Sequence, residues 1–428
     1  MTSPPAIFVA TCDLAAQIRG RSVPLTSETS VMRSGTGWVP ANLALTCFGD
    51  LADAPLDSTG DLRLRPDPTA VYDIPAIGSL PPLRLMIGGQ TDLDGTDWDG
   101  DCRAFALRAL HELEERYDAT ITAAFEHEFL LEGLATEGVP FGLDRYRAAE
   151  PFGSELLGLL AAVGLDPDSW LAEFGAEQFE VTISPAEGIS SADRAIVLRQ
   201  LVRDLASQHG LRAGFAPMRT VDGVGSGVHV HFSMRTRAGD ALLYDPTREG
   251  SLSSFGARFA AGIVRHAPAL VAFTAPSPAS GLRLGEHKWS SAGAYLSQAD
   301  REALLRICPT TKLSATPEAL QYNLEYRAAD ATGNPWLILG LLVRAGLSGL
   351  DGDVEEPVLM APPAPGSPIR PLPATPEAAR QAIDDDPELQ SWLPPLLLQT
   401  SLAVRDAERA ATQNLSPEQI VQKVARVY

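Results

Sequence analysis

The chain has 428 residues, with 54 acidic against 34 basic residues and a formal charge of −20. So negative a balance lacks the positive field that general binding to nucleic acid or an anionic membrane requires, although it leaves room for a local basic pocket. Hydrophobic residues make up 45% and charged residues 21%, an ordinary globular mixture that can bury a large core without disulfides or a structural metal. At ~150 residues per domain, the length suits two or three domains, or one large domain with a small partner.

Cys12, Cys47, Cys102 and Cys308 are scattered, with no CxxC spacing. They read as four reduced thiols of a cytosolic protein, two disulfides being the alternative. The first residues show no basic segment leading into a long apolar stretch, so they do not read as a signal peptide. The longest strongly apolar run, Trp336 to Val343, is far shorter than the ~20 residues of a membrane span.

In chain order, the first hundred residues are rich in Pro, Gly, Thr and Asp and read as short strands and loops. The acidic, turn-rich stretch 91–101 reads as a boundary. Phe105, Leu110, Leu113 and Tyr117 form one stripe of an amphipathic helix. Ala119 to Leu131 reads as a strand. Ser190 and Asp193 resemble a helix start before Ile196, Leu198, Leu201, Val202 and Leu205. Leu211 to Ala216 and Val228 to Met234 read as strands. Asn334-Pro335 predicts the cap and first turn of an apolar helix running to Leu350. Eight prolines between Pro357 and Pro376 predict a loop, and Ser416-Pro417-Glu418-Gln419 a capping box before a final helix. Strands mixed with helices give an α+β fold with a small β-rich N-terminal domain.

Five segments carry chemistry. In Phe125-Glu126-His127-Glu128-Phe129, a strand would present Glu126 and Glu128 on one face. Two carboxylates so close need a cation or protons between them, a solvated strand edge being the alternative. Glu173 to Glu180 adds carboxylates around a Gly-containing turn. In Gly225-Ser226-Gly227-Val228-His229-Val230-His231, two of seven histidines share a strand face after a glycine turn. Glu325 and Arg327 share a face, either as a plain ion pair or as a metal ligand beside an anion-binding guanidinium. Arg283, Arg301 and Arg306 lie in apolar or small-residue surroundings, where arginine must find partners. Carboxylates and imidazoles for hard cations, with arginines for anions, suit nucleotide-dependent phosphoryl transfer. No GxxxxGK[ST] motif and no dinucleotide-binding fingerprint is present.

These five segments, in this order, resemble the glutamine synthetase superfamily, including relatives that join glutamate to amines other than ammonia. The resemblance is strong over about 100–350. It implies a β-grasp domain at 1–98 and, at 99–428, a catalytic domain with a curved antiparallel sheet and flanking helices. It implies a dodecamer with sites between adjacent subunits, ATP as a substrate, and two or more Mg²⁺ or Mn²⁺ ions per site. The implied reaction is phosphorylation of the glutamate γ-carboxylate, then attack by an amine. By the same resemblance, Glu128, Glu173 and Glu180 would hold one ion, and Glu126, His229 and Glu325 the other. His231 and Arg306 would meet the nucleotide phosphates. Arg283, Arg327 and Gly225 would bind the amino-acid substrate. Arg301 and Arg306 would stabilise the transferring phosphoryl group, with Glu286 on a site-shielding flap.

The chain also departs from the family pattern. Gly37 to Asn42 stands where family members carry Asp-Gly-Ser-Ser for ammonium. Val224 replaces an Asn that contacts substrate, Asn323 replaces an Arg that contacts nucleotide, and Glu177 replaces a Gly. The altered ammonium region favours an organic amine. A true glutamine synthetase with a rebuilt ammonium pocket and a catalytically silent regulatory homologue are the alternatives.

Overall fold

The computed structural model describes residues 6–134, 138–291, 293–298, 300–352, 355–357, 359–360 and 369–428. Most of the proline-rich stretch expected to be a loop lies outside them. Among the described residues, two sheets organise the chain.

The first holds five strands: β1 (Ala6–Cys12), β2 (Ile18–Pro24), β3 (Thr36–Trp38), β4 (Leu62–Ile74) and β5 (Leu83–Thr91), in the order β2-β1-β5-β4-β3. β1 and β5 run parallel and the other pairs antiparallel. A short helix, α1 (Glu28–Ser34), packs on this sheet.

The 91–101 stretch leads into α2 (Cys102–Tyr117), capped by Asp101, whose side chain accepts from the Arg103 amide. Then come β6 (Thr120–Glu132), α3 (Leu143–Ala148), α4 (Phe152–Val163), β7 (Pro167–Ala172), β8 (Gln178–Ile183), β9 (Ala186–Glu187), α5 (Ile189–Gln208), β10 (Arg212–Gly214) and β11 (Val228–Arg235). The remainder is α6 (Ser254–Thr274), β12 (Gly293–Ser297), β13 (Ala303–Ile307), α7 (Glu318–Gln321), β14 (Leu324–Tyr326), α8 (Pro335–Asp351), β15 (Leu359–Met360), α9 (Pro376–Asp384), α10 (Pro387–Trp392), α11 (Pro395–Ala410) and α12 (Pro417–Ala425).

The second sheet runs β15-β12-β13-β14-β11-β6-β8-β7, with β9 and β10 also paired to β6. From β13 to β7 it is antiparallel, as expected. At its far edge β12 pairs parallel with both β13 and β15, so the sheet as a whole is mixed.

Burial alternates along the whole of β6: Ile121, Ala123, Phe125, His127, Phe129 and Leu131 are buried, and the residues between them are less so. The period of two follows from the pleat. The buried set joins the core, while Glu126 and Glu128 turn to the other face. α5 packs on β6 and α8 on α5, with Trp336 and Phe105 fully buried between the helices. Burying each such ring removes it from water at a gain of roughly 1.5–3 kcal/mol. His127, with Phe215 at 6.1 Å, is a core residue whose burial pushes its imidazole down to about 3, so it stays neutral.

The expected caps hold at α8, where Asn334 accepts from the amides of Trp336 and Leu337, and at α12, where the Ser416/Gln419 box is complete. The helix expected to start at Ser190 is present, but its expected cap is not. α5 begins at Ile189 after Gly188, without a side-chain cap. Asp193 instead accepts from buried Arg103 at 2.8 Å and from Trp336 Nε1 at 2.7 Å. Arg103 also reaches Asp67 of β4 at 2.7 Å, which ties the N-terminal sheet to the helical layer. Asp193, a buried carboxylate with partners on two other helices, serves packing rather than capping.

Candidate active site

Five neighbouring strands, β13-β14-β11-β6-β8, carry most of the chemistry, and their registers decide its geometry. Arg306 stands opposite Glu325, Glu325 opposite His231, His229 opposite Glu126, and Glu128 opposite Glu180. Directly opposed residues have Cβ atoms ~4.5–5.5 Å apart, so one band across the sheet gathers them. A slip of one residue in any of these pairs would send its members to the helical face.

At the centre, Glu126 Oε1 lies 3.1 Å from His229 Nδ1, and Glu126 Oε2 lies 3.2 Å from His231 Nε2. Glu325 Oε1 is 3.5 Å from His229 Nδ1. Glu126, His229 and Glu325 each offer a ligand atom, all within 4.8 Å of one another. Glu325 is buried and also accepts from Arg306 at 3.0 Å and from Arg327. The plain ion pair between Glu325 and Arg327 is therefore present, and it sits inside the cluster rather than apart from it.

Glu128, Glu173 and Glu180 line one wall of a cavity of about 790 Å³, together with Glu126, Gln178, His229, Arg283, Arg301 and Arg327. Glu128 Oε2 accepts from the Gly227 amide at 2.7 Å, which fixes the glycine turn against β6. Arg283 is buried beneath that turn and donates to the Ala329 carbonyl at 2.7 Å. Both glycines make room for it. A Cβ on Gly225 would lie 2.4 Å from Arg283 Cγ, and one on Gly227 2.7 Å from an Arg283 guanidinium nitrogen.

Charge is unevenly shared. Burial, with Glu126, Glu128 and Glu173 close by, pushes Glu180 up to about 10. Burial and Glu128 raise Glu173 as well. Glu126 goes the other way: burial would raise it, but hydrogen bonds with His229 and His231 hold it well below the usual carboxylate range. Burial acts against the charged form of His231, yet Cys308 and Glu126 raise it well above an ordinary imidazole.

The remaining expected residues are placed as follows. Arg301 is exposed at the cavity wall. Arg306 reaches the site through Glu325. Glu286 is exposed and stands outside the cavity lining, while its neighbours His287, Lys288 and Trp289 contribute to it. Glu177 has φ of +57°, which accounts for glycine at that place in the family pattern.

Sequence reasoning missed three features. Gln178 braces the site: its Nε2 donates to the Gly225 carbonyl at 3.0 Å and its Oε1 accepts from the Gly175 amide at 2.9 Å. Its position two residues before Glu180, on the same strand face, was the available signal. Phe141, Phe174 and Trp289 are 53%, 50% and 61% exposed, and all three line the cavity. Phe174 and Trp289 have ring centroids 5.9 Å apart. They come from three separate loops, so no spacing marked them. Cys308 places its Sγ 3.4 Å from His231 Nδ1.

The sequence matches the family described as "Glutamine synthetase N-terminal domain" over residues 6–98 and "Glutamine synthetase, catalytic domain" over residues 99–423. The chain is similar to the gamma-glutamylpolyamine synthetase GlnA3 of Streptomyces coelicolor, at 30% identity over 436 residues, covering 96% of this chain and 91% of that protein. It is similar to the glutamine synthetase of Thermus thermophilus at 28% identity, covering 78% of each chain. A solved structure described as a novel glutamine synthase homolog superposes with a TM-score of 0.93 at 38% identity, covering 100% of this chain and 99% of the other. GmaS without ligand superposes with a TM-score of 0.83 at 22% identity, covering 96% and 94%, a likeness of fold alone. Sequence and architecture agree over nearly the full length, and the chain belongs to the glutamine synthetase family, whose members are ligases.

Proposed function

We propose that this protein is an ATP-dependent ligase that joins the γ-carboxylate of glutamate to an organic amine through a γ-glutamyl phosphate. The observation that carries the reading is the meeting of a buried carboxylate–imidazole cluster, Glu126, His229 and Glu325, with Arg283, Arg301 and Arg327 around a cavity of about 790 Å³.

The residues fit divalent cations. His231 Nε2 is a buried nitrogen set 3.2 Å from Glu126 Oε2 and 3.9 Å from Glu325 Oε1, so imidazole and carboxylate donors converge there. Four carboxylates line one wall, and Glu180 resists ionisation as long as no cation offsets its neighbours. Glu128, Glu173 and Glu180 would hold one Mg²⁺ or Mn²⁺, and Glu126, His229 and Glu325 a second. Such ions supply charge neutralisation between the phosphates and the attacking carboxylate. Arg283 and Arg327 bind the carboxylates of glutamate, with Gly225 leaving the backbone open to it. Arg301 and Arg306 stabilise charge on the transferring phosphoryl group. His231 meets the nucleotide phosphates, and the exposed loop bearing Glu286 serves as the flap.

Phe141, Phe174 and Trp289, with Leu171 and Val224, give the cavity an aromatic and apolar side. Ring faces attract an organic ammonium by about 0.5–2 kcal/mol each. That lining suits an amine with an apolar part better than bare ammonium. We further propose a homo-oligomer, a dodecamer by family likeness, working in the cytosol. Among the described residues, no helix is long and apolar enough to cross a membrane.

The test is phosphate release from ATP with glutamate across a panel of amines. Turnover with alkyl or aryl amines but not ammonium supports the reading. Ammonium as best substrate supports a glutamine synthetase. ATP binding without turnover supports a silent homologue. Light scattering that finds a monomer would remove the shared-site arrangement.

A further inference from the structure

Cys308 lies just past the end of β13, buried, on the far side of the band from Glu128. Its Sγ is 3.4 Å from His231 Nδ1 and 3.9 Å from Glu325 Oε2. His231, Cys308 and Glu325 offer three ligand atoms that all lie within 4.8 Å of one another. Around a tetrahedral ion, bonds of about 2.3 Å to sulfur and about 2.0–2.1 Å to nitrogen or oxygen set ligand atoms roughly 3.5 Å apart. The two sulfur distances bracket that separation. Asn323 Oδ1 stands 3.0 Å from the same His231 Nδ1, held there because Asn323 Nδ2 donates to the Gln321 carbonyl at 3.0 Å. A second cavity of about 340 Å³ is lined by Glu126, His231 and Asn323, next to this cluster.

We propose that His231, Cys308 and Glu325 form a site for a thiophilic divalent cation of the zinc or cadmium class, with Asn323 Oδ1 beside it. Thiolate selects such ions over Mg²⁺, which prefers oxygen ligands. On binding, Cys308 gives up its thiol proton and His231 the proton on Nδ1, both to solvent, and the freed sulfur and nitrogen lone pairs go to the ion. Arg306 donates to Glu325 Oε2 at 3.0 Å, but a carboxylate oxygen has a second lone pair to offer. Glu325 belongs to this site and to the Glu126–His229–Glu325 set. A bound zinc or cadmium ion therefore takes a ligand from the neighbouring set and acts as an inhibitor that Mn²⁺ relieves. The binding site goes beyond the ligase reading and does not need it; only the inhibition rests on that reading.

The experiment is titration of the full-length protein with Cd²⁺, followed by the ultraviolet thiolate-to-cadmium charge-transfer absorption, with circular dichroism to confirm folding. The wild type should show a single saturable equivalent. Cys308→Ala and Cys308→Ser should lose it, and His231→Gln should weaken binding at least about 10-fold, the lower end of what a displaced ligand partner costs. Cys12, Cys47 and Cys102 are buried elsewhere and remain as internal controls. Absorption that survives in both Cys308 variants would overturn the assignment, as would a wild type with no such band at saturating Cd²⁺. Neither result bears on the amine panel.

Discussion

Glu180 stands directly opposite Glu128 across the β6–β8 pair, so two carboxylates meet on the cavity wall. The pairing has a consequence for pH. Burial and the surrounding carboxylates raise Glu180 from an ordinary 4.5 to about 10. Between those values an unfolded Glu180 has lost its proton and the folded one keeps it, so the cation-free protein loses stability as pH rises. His231, raised above its ordinary 6.5, acts in the same direction. Glu126, held low, is already ionised across the window and does not offset the slope. The melting temperature in EDTA should therefore fall as pH rises, and Glu180→Gln should flatten the curve. A wild-type melting temperature independent of pH across that window would refute the arrangement.

Gly225 should tolerate no side chain. A Cβ there would overlap Arg283 and press on the Pro217 carbonyl at 2.9 Å. Gly225→Ala is expected to displace the guanidinium from beneath the glycine turn and raise KM for glutamate at least about 10-fold, or about 1.4 kcal/mol. The melting temperature should fall as well, because the Pro217 carbonyl is backbone and cannot yield as a side-chain tip would. An unaltered KM would separate Arg283 from substrate binding.

Arg301 sits exposed at the cavity wall, where a group that neutralises developing charge would act late in the reaction. Arg301→Ala should lower kcat by about 10²–10³-fold, the usual loss of one such donor, with KM for ATP nearly unchanged. A change confined to KM would assign it to binding alone.

Trp289 and Phe174 form the aromatic side of the cavity. Replacing Trp289 with Ala should raise KM for the amine about 3–30-fold, on the scale of one cation–π contact, and leave KM for glutamate and ATP in place. Equal effects on all three substrates would mean that the indole only supports the loop. That outcome has a structural basis to rule out, since the Trp289 carbonyl accepts from Arg327 at 3.1 Å.

How far the sequence could be read depended on period and on contact order. Along β6 the strict alternation placed Glu126 and Glu128 together without any knowledge of partners. The caps of α8 and α12 were equally local, set by two to four adjacent residues. Asp193 was misread because its partners Arg103 and Trp336 are 90 and 143 residues away, beyond the reach of any local pattern. Cys308 escaped for a related reason. A lone thiol carries no spacing signal, and only the β13–β14–β11 registers bring it to His231. The five segments were ordered by their resemblance to a family; the strand registers are what give that order a geometry.

The account rests on Glu325 as a ligand shared among a buried imidazole, a carboxylate and two arginines. Titration with Mn²⁺, read by the electron paramagnetic resonance of the free ion, tests it most directly. The wild type should bind at least two ions per chain, and Glu325→Gln should lose one class of site by about 10–100-fold or more while remaining folded and assembled. A Glu325→Gln protein with wild-type Mn²⁺ stoichiometry and affinity would contradict the account.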